Sequence, residues 1–102
     1  MSKKAPIKSR YDSFGLSERR LNFKPQIDIR GERLSSALEI VSQYIDDAIM
    51  IGIEEVKILH GKGDGILREE IRKYLKSTPS VKSVRDEDIQ MGGTGITVVR
   101  FD

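Results

Sequence analysis

The sequence contains no cysteine and a single histidine, His60. Disulfide bridges, cysteine zinc sites and thiol catalysis are therefore excluded, as is any mechanism that needs two histidines within one copy of the chain. No apolar run approaches the ~20 residues that span a bilayer, and the first residues lack the apolar stretch of a secretory signal. We expect a cytoplasmic protein with no membrane partner.

Charge is distributed unevenly along the 102 residues. Residues 1–25 contain seven basic and two acidic side chains, whereas residues 26–102 contain 11 basic and 14 acidic ones, a net charge of −3. Residues 1–25 show no sustained hydrophobic period, and we interpret them as a basic flexible linker or arm whose Phe23 contacts the folded domain. The alternative is an arm whose aromatic side chains, Tyr11, Phe14 and Phe23, stack on unpaired bases.

The hydrophobic pattern of residues 26–102 alternates between strand and helix periods. It predicts strands over residues 27–30, 55–59, 81–85 and 96–101, and helices from about residue 36 to 52 and from 66 to 76. The first helix is expected to begin at a capping box formed by Ser36 and Glu39. The order βαβαββ predicts an α/β fold, an α+β two-layer sandwich, in which two helices cover a mixed sheet of about four strands.

The most informative segment is His60-Gly61-Lys62-Gly63-Asp64-Gly65, between the second strand and the second helix. Backbone N–H groups of a glycine-rich loop at a helix N-terminus attract phosphate or another anion, and Lys62 adds positive charge. The spacing matches neither of two nucleotide-binding glycine motifs, G-x-x-x-x-G-K-[ST] and G-x-G-x-x-G. We therefore expect no nucleotide site in this fragment. The candidate nucleic-acid-binding residues are Lys62, Gly61, Gly63 and Gly65, with Thr94 of the later glycine-rich connection at the edge of the crevice.

Asp28 and Arg30 form a second group of candidate residues. They are expected on one face of the first strand, and adjacent parallel strands end at the same edge of a sheet, which predicts that both lie close to His60. A carboxylate, a guanidinium and an imidazole beside an anion cradle suit phosphodiester chemistry. The structural alternative is an exposed ion pair and a hydrogen-bonded histidine without a catalytic role.

The second helix carries four cations among two glutamates. We expect i,i+3 or i,i+4 ion pairs with the glutamates rather than a continuous basic face. The residues concerned are Arg68, Arg72, Lys73 and Lys76, with Glu69 and Glu70.

Three motifs resemble a known family, the Smr (small MutS-related) domain, over about residues 26–102. The segment Ile27-Asp28-Ile29-Arg30-Gly31 resembles the family's L-D-x-[RH]-G motif, and His60-Gly61-Lys62-Gly63 resembles its H-G-x-G motif. The segment from Gly92 to Val99 is similar to the family's C-terminal segment. Free-standing Smr proteins often have His at the position of Arg30. The arginine instead resembles the version of the domain at the C-terminus of the bacterial MutS paralogue that suppresses homologous recombination.

The resemblance implies a fold like that of the C-terminal domain of translation initiation factor 3. It also implies a nicking endonuclease of low sequence specificity that acts on DNA, with RNA as substrate or ligand of some members. Matched motifs make His60, Asp28 and Arg30 the expected catalytic residues. Without a second histidine, the general acid must be water, a metal-bound water, Lys62 or another side chain. A divalent cation such as Mg or Mn is a candidate cofactor, and Asp28 a candidate ligand.

Three functions remain open at this point. The first is a nuclease domain that belongs to a larger, homodimeric MutS-like ATPase acting in DNA recombination and repair or in ribosome quality control. The second is a non-catalytic module that binds DNA, RNA or the ribosome. The third is a protein-docking module, which the negative charge of residues 26–102 favours.

Overall fold

The computed structural model describes residues 21–102, so residues 1–20 of the predicted linker lie outside the described range. Six regular elements follow one another in the predicted order βαβαββ: β1 (Gln26–Asp28), α1 (Leu34–Ile51), β2 (Glu55–Leu59), α2 (Ile66–Lys76), β3 (Val81–Asp86) and β4 (Ile96–Phe101). Two short 3-10 turns, Ile89–Met91 and Gly93–Gly95, lie in the connection between β3 and β4.

The four strands form one mixed sheet in the order β1-β2-β4-β3. β1 runs parallel to β2, whereas β4 is antiparallel to both of its neighbours. The core joins alternate residues of the strands to the apolar sides of both helices, which confirms the predicted α+β sandwich. Its fully buried members include Val41 and Ile45 from α1, Ile71 from α2, and Ile58 and Val99 from the sheet.

Helix α1 begins two residues earlier than the sequence predicts. Its N-cap residue is Arg33, in an extended conformation and without a side-chain cap, so the expected capping box of Ser36 and Glu39 is wrong. The turn after β1 closes at Gly31, whose φ is +85°, and the helix follows almost at once. The predicted end is confirmed, because Gly52 adopts the left-handed conformation that terminates helices.

Strand β1 also ends earlier than predicted, at Asp28 instead of Arg30. The carboxylate of Asp28 accepts the backbone N–H of Arg30 at 3.1 Å, which turns the chain away from the sheet. Strand β3 is one residue longer than predicted, because Asp86 still pairs with Thr97 of β4.

Phe23 is packed against the domain, as the sequence predicts. Its ring stacks on Tyr44 of α1 with centroids 5.1 Å apart. The Tyr44 hydroxyl donates a hydrogen bond of 2.7 Å to the carbonyl of Lys24, and burial raises the pKa of this hydroxyl, which keeps it protonated. The chain before β1 is thereby held along α1.

No helix within residues 21–102 is both long and apolar enough to cross a membrane.

Candidate functional site

A groove of about 350 Å³ lies at the edge of the sheet where β1 and β2 end. One wall is the turn before α1, and the other is the loop from His60 to the first turn of α2. Five of the predicted residues line this groove: His60, Gly61, Lys62, Gly63 and Gly65. The predicted crevice is therefore present, with the glycine-rich loop as its main wall.

The backbone amides of the loop are only partly available to a ligand. The N–H of Gly61 donates to the carbonyl of Gly95 at 2.9 Å, and that of Gly65 donates to the carbonyl of Lys62 at 3.1 Å. Within residues 21–102, the N–H groups of Lys62, Gly63 and Asp64 have no hydrogen-bond partner. Successive unpartnered amides can form an anion-binding concavity, so the predicted anion cradle would be centred on residues 62–64, in a groove that Glu32 and Asp64 also line.

Two glycines of this region lie in contact with neighbouring side chains. Gly61 has a φ of +82°, a conformation that favours glycine, and a Cβ there would lie 3.4 Å from Cγ of Arg30. A Cβ on Gly95 would lie 3.4 Å from Cγ of Lys62, which is ordinary van der Waals contact. The carbonyl of Gly95 accepts the N–H groups of both His60 and Gly61. The glycine-rich connection before β4 is therefore hydrogen-bonded to the start of the loop.

Thr94 lies in this connection but does not line the groove. Its neighbour Gly95 is buried against the loop, whereas Thr94 itself is exposed. The predicted binding role of Thr94 stays a prediction, and the contacts of Gly95 are the feature that sequence reasoning missed.

Asp28 and Arg30, here called the strand-end pair, form a two-pronged ion pair. Nε of Arg30 donates to Oδ1 of Asp28 at 2.8 Å and Nη2 donates to Oδ2 at 2.6 Å. The hydrogen bonds from Arg30 lower the pKa of Asp28 to about 2. Both side chains are about half exposed, at 49% for Asp28 and 61% for Arg30. The two side chains are therefore adjacent, as the sequence predicts, although Arg30 lies beyond the end of β1.

Asp28 and His60 lie at adjacent strand ends, as the sequence predicts, but their side chains lie on opposite sides of the sheet. Asp28 pairs in register with Leu59, and His60 is the next residue along the chain. Because side chains alternate along a strand, His60 lies toward the helices with Ile58, on the other side of the sheet from Asp28. No hydrogen bond or ion pair joins the two residues in the described part of the chain.

His60 is only 5% exposed, and both of its ring nitrogens are bonded within the protein. Nδ1 lies 2.8 Å from the carbonyl of Gly61, and Nε2 lies 2.7 Å from the hydroxyl of Thr97. Because a carbonyl can only accept, these partners assign the proton to Nδ1, and Nε2 accepts from Thr97. Burial lowers the pKa of His60, and the positive charges of Arg72 and Arg68 lower it further. At neutral pH the ring is therefore neutral.

Thr97 links His60 to three charged residues that the sequence did not connect. Nε of Arg72 donates to the Thr97 hydroxyl at 3.3 Å, and Nη2 of Arg72 donates to Oδ1 of Asp86 at 2.5 Å. Arg68 donates to the same oxygen from Nε at 3.2 Å and from Nη2 at 2.9 Å. These five residues are here called the helix-side cluster.

The predicted pairing of the α2 cations is correct for only one pair. Lys73 lies 3.1 Å from Glu70, an i,i+3 ion pair. Arg68 and Arg72 pair with Asp86 of β3 instead of the helix glutamates, because this side of α2 packs against β3. The available signal was the four-residue spacing of the two arginines, which places them on one side of the helix.

The side chains alone do not form a metal site. Within residues 21–102, no group of three or more histidine, aspartate or glutamate residues is placed to hold a metal ion. The candidate ligand Asp28 has both carboxylate oxygens engaged by Arg30. The divalent cation, and Asp28 as its ligand, stay predictions.

Comparison with known proteins identifies the family. The family model described as the Smr domain matches residues 27–102, and the chain belongs to this family. It is 49% identical over 78 residues to Endonuclease MutS2 of Halalkalibacterium halodurans, and 45% identical over 78 residues to Endonuclease MutS2 of Listeria monocytogenes. Each match covers 76% of this chain and 10% of the relative. The chain thus spans about a tenth of the length of the curated relatives it matches.

Two solved structures share the fold. The crystal structure of the Smr domain of Thermus thermophilus MutS2 is 37% identical with a TM-score of 0.74, covering 78% of this chain and 99% of that one. The stand-alone small MutS-related protein YdaL of Escherichia coli is 21% identical with a TM-score of 0.72, covering 88% of this chain and 76% of that one. The predicted resemblance to the Smr domain of MutS paralogues is confirmed.

Proposed function

We propose that this domain is a nicking endonuclease that cuts the phosphodiester backbone of DNA with low sequence specificity. The observation that carries the proposal is the groove in which the three unpartnered amides of residues 62–64 lie beside Lys62 and a neutral His60. These groups recognise phosphate, which carries no base sequence, and this accounts for low specificity. The relatives named Endonuclease MutS2 support the same activity.

Each group in and beside the groove has a distinct role in the proposed cleavage. The amides of residues 62–64 and the side chain of Lys62 bind the scissile phosphate, and Arg30 stabilises negative charge that develops on it. His60 is the general base, because its neutral ring carries a lone pair on Nε2. That lone pair faces Thr97, so His60 must release the Thr97 hydroxyl before it accepts a proton from water. Asp28 acts through Arg30, which it holds in place.

A non-catalytic module that binds DNA, RNA or the ribosome is the second candidate function. One specific observation favours it: both ring nitrogens of His60 are engaged within the protein, so no free base faces the groove. The same amides and Lys62 would then hold a phosphate without cutting its ester bond. The two candidates differ in cleavage and agree in binding.

We further propose that the domain works within a larger, homodimeric MutS-like ATPase, to which residues 1–25 tether it. The similarity to proteins named MutS2 supports this context. DNA recombination and repair is the process that a DNA-nicking domain would serve, and ribosome quality control is the process that an RNA-binding one would serve.

A nicking assay on supercoiled plasmid and on a structured RNA tests the proposal. Wild type is compared with His60→Ala, and with Lys24→Gln as a control at an exposed residue away from the groove. We expect wild type and Lys24→Gln to nick the plasmid equally, and His60→Ala to lose the activity while it still melts cooperatively. Lanes with and without chelator decide whether a divalent cation is required.

Three outcomes would contradict the nuclease proposal. Equal cleavage by His60→Ala and wild type would indicate a contaminating enzyme. Binding of DNA or RNA without cleavage would support the non-catalytic module. Absence of both binding and cleavage would leave only the protein-docking function.

A further inference from the structure

A second groove, here called the α2 groove, runs along helix α2 beside β3. It has a volume of about 380 Å³, and four of its five lining residues are cations: Arg68, Arg72, Lys73 and Lys76, with Glu69 as the only carboxylate. Arg68 also lines the groove at the glycine-rich loop. The two grooves therefore share one lining residue, Arg68.

Ion pairing does not neutralise the α2 groove completely. Arg68 and Arg72 share a single carboxylate oxygen of Asp86, so one of the two positive charges is left uncompensated. Lys76 has no ion pair within the described residues, and the pair between Lys73 and Glu70 is solvent-exposed. An exposed pair of this kind contributes about 0–1 kcal/mol and exchanges partners readily. The α2 groove is thus locally basic, although residues 26–102 carry a net charge of −3.

The spacing of these cations matches an extended polyanion. Arg68, Arg72 and Lys76 recur every four residues, so they lie along one side of the helix over about 12 Å. One strand of a nucleic acid advances about 3.4 Å per nucleotide, so the row spans roughly three to four nucleotides. A small anion would need only one or two of these side chains.

We propose that the α2 groove binds the phosphates of the nucleic-acid strand that flank the phosphate held at residues 62–64. This inference rests on the proposed function and defines the path of the strand, from the glycine-rich loop along α2 toward Lys76. The competing interpretation is that Lys73 and Lys76 are solvated residues that stabilise the C-terminal end of the helix dipole. The two interpretations differ in the salt dependence of nucleic-acid binding.

Fluorescence anisotropy with a labelled 20-nucleotide DNA, and with an RNA of the same length, measures this difference. Affinity of the full chain is determined from 50 to 300 mM KCl for wild type and for the double variant Lys73→Gln/Lys76→Gln. Lys24→Gln, at the opposite edge of the sheet, controls for loss of a positive charge. Glutamine keeps the helix propensity of lysine, and the basic residues 1–25 are otherwise the same in every protein.

We expect the slope of log K against log salt to become shallower by about 1.4 to 1.8 in the double variant, because each lost phosphate contact removes about 0.7 to 0.9. A change of 1.4 corresponds to about 25-fold weaker binding at 0.1 M salt when extrapolated from 1 M. Lys24→Gln should keep the wild-type slope. Glu69→Gln, which removes the carboxylate from the groove, should strengthen binding.

Unchanged slopes in the double variant would overturn the inference while leaving the proposed function intact. A change of about 0.7 to 0.9 in Lys24→Gln, half of that expected for the double variant, would also overturn it, because the effect would then follow net charge rather than the groove. Binding with the expected slopes but without cleavage would uphold the strand path and reject the nuclease. If wild type bound neither DNA nor RNA, both proposals would fail together.

Discussion

Two carboxylate–arginine groups flank the glycine-rich loop, and they are built in different ways. The strand-end pair joins Asp28 to Arg30, two residues apart, and both side chains are about half exposed. In the helix-side cluster, Asp86 of β3 meets Arg68 and Arg72 of α2, and the three side chains are 36%, 29% and 17% exposed. One group is local and open to solvent, and the other exists only because the sheet and α2 pack together.

The difference indicates two roles. An exposed ion pair contributes little to stability, so Arg30 can exchange Asp28 for a phosphate oxygen at small cost. The helix-side cluster is more enclosed and ends on the buried hydroxyl of Thr97, which bonds Nε2 of His60 and, with the Gly61 carbonyl at Nδ1, sets the tautomer of the ring. The strand-end pair is therefore suited to meet a ligand, and the helix-side cluster to hold the histidine.

The largest expected effect follows from replacing Thr97 by valine, which keeps the shape but removes the hydroxyl. Nε2 of His60 and Nε of Arg72 would both lose a partner in a buried setting, at a cost of about 1–3 kcal/mol in the free energy of unfolding. The melting temperature should fall by roughly 4–8 °C for each kcal/mol. Nitrogen NMR of the His60 ring should show a mixture of tautomers instead of one.

Thr97→Ser is the matched control for this prediction. Serine keeps the hydroxyl and loses one buried methyl group, about 0.8 kcal/mol, so the single tautomer should persist. A single tautomer in Thr97→Val would show that Gly61 alone fixes the ring, and the proposed role of the helix-side cluster in holding His60 would be wrong.

The helices and strands, and the proximity of the two residues of the strand-end pair, could be predicted from the sequence. Hydrophobic periods place helices and strands to within about two residues, and the period of two places Asp28 and Arg30 on one face. The errors in the element boundaries arise where a local interaction of the backbone overrides the hydrophobic period. The carboxylate of Asp28 captures a backbone N–H and ends β1 early, and the tight turn at Gly31 starts α1 before Ser36.

The helix-side cluster, whose residues lie far apart in the sequence, could not be predicted in the same way. The helix-side cluster depends on the register that pairs Asp86 with Thr97, and on the rotation of α2 about its axis. Neither is encoded in a short window of sequence. One signal was available: Thr97 stands at an inward position of β4 with Val99 and Phe101, and a buried hydroxyl needs a partner.

Replacing each of the two carboxylates by an amide should have smaller effects, which differ between the two groups. Asp86→Asn keeps an acceptor oxygen but removes the negative charge that two guanidinium groups share, and we expect a loss of about 1–2 kcal/mol in the free energy of unfolding, reduced by partial exposure. Asp28→Asn should leave the melting temperature within about 1–2 °C of wild type, because the strand-end pair is exposed. Thermal melts at pH 7 decide between them. Equal losses would mean that the two groups are equally structural.

The smallest expected effect is a difference between two pH windows. The pKa of His60 is lowered below its ordinary value of 6.5 in the folded chain. Between the folded pKa and 6.5, the unfolded chain therefore binds more protons than the folded chain. The free energy of unfolding should therefore fall as pH drops through 6.5, and level off below the folded pKa. The pKa of Asp28 is lowered from 3.8 to about 2, so its contribution is present above pH 3.8 and lost as pH falls toward 2.

Urea unfolding at several pH values between 7.5 and 4.5 isolates the first window, since His60 is the only histidine. The groups that face it are Arg68 and Arg72 of α2, Asp86 of β3 and Thr97 of β4, and Asp86 stays charged in this range because the bond from Arg68 lowers its pKa. His60→Gln should remove most of the pH dependence that wild type shows there. A wild-type free energy that does not change between pH 7.5 and 4.5 would mean that His60 titrates as it does in the unfolded chain. The helix-side cluster would then not set its protonation, and the contrast with the exposed strand-end pair would rest on hydrogen bonding alone.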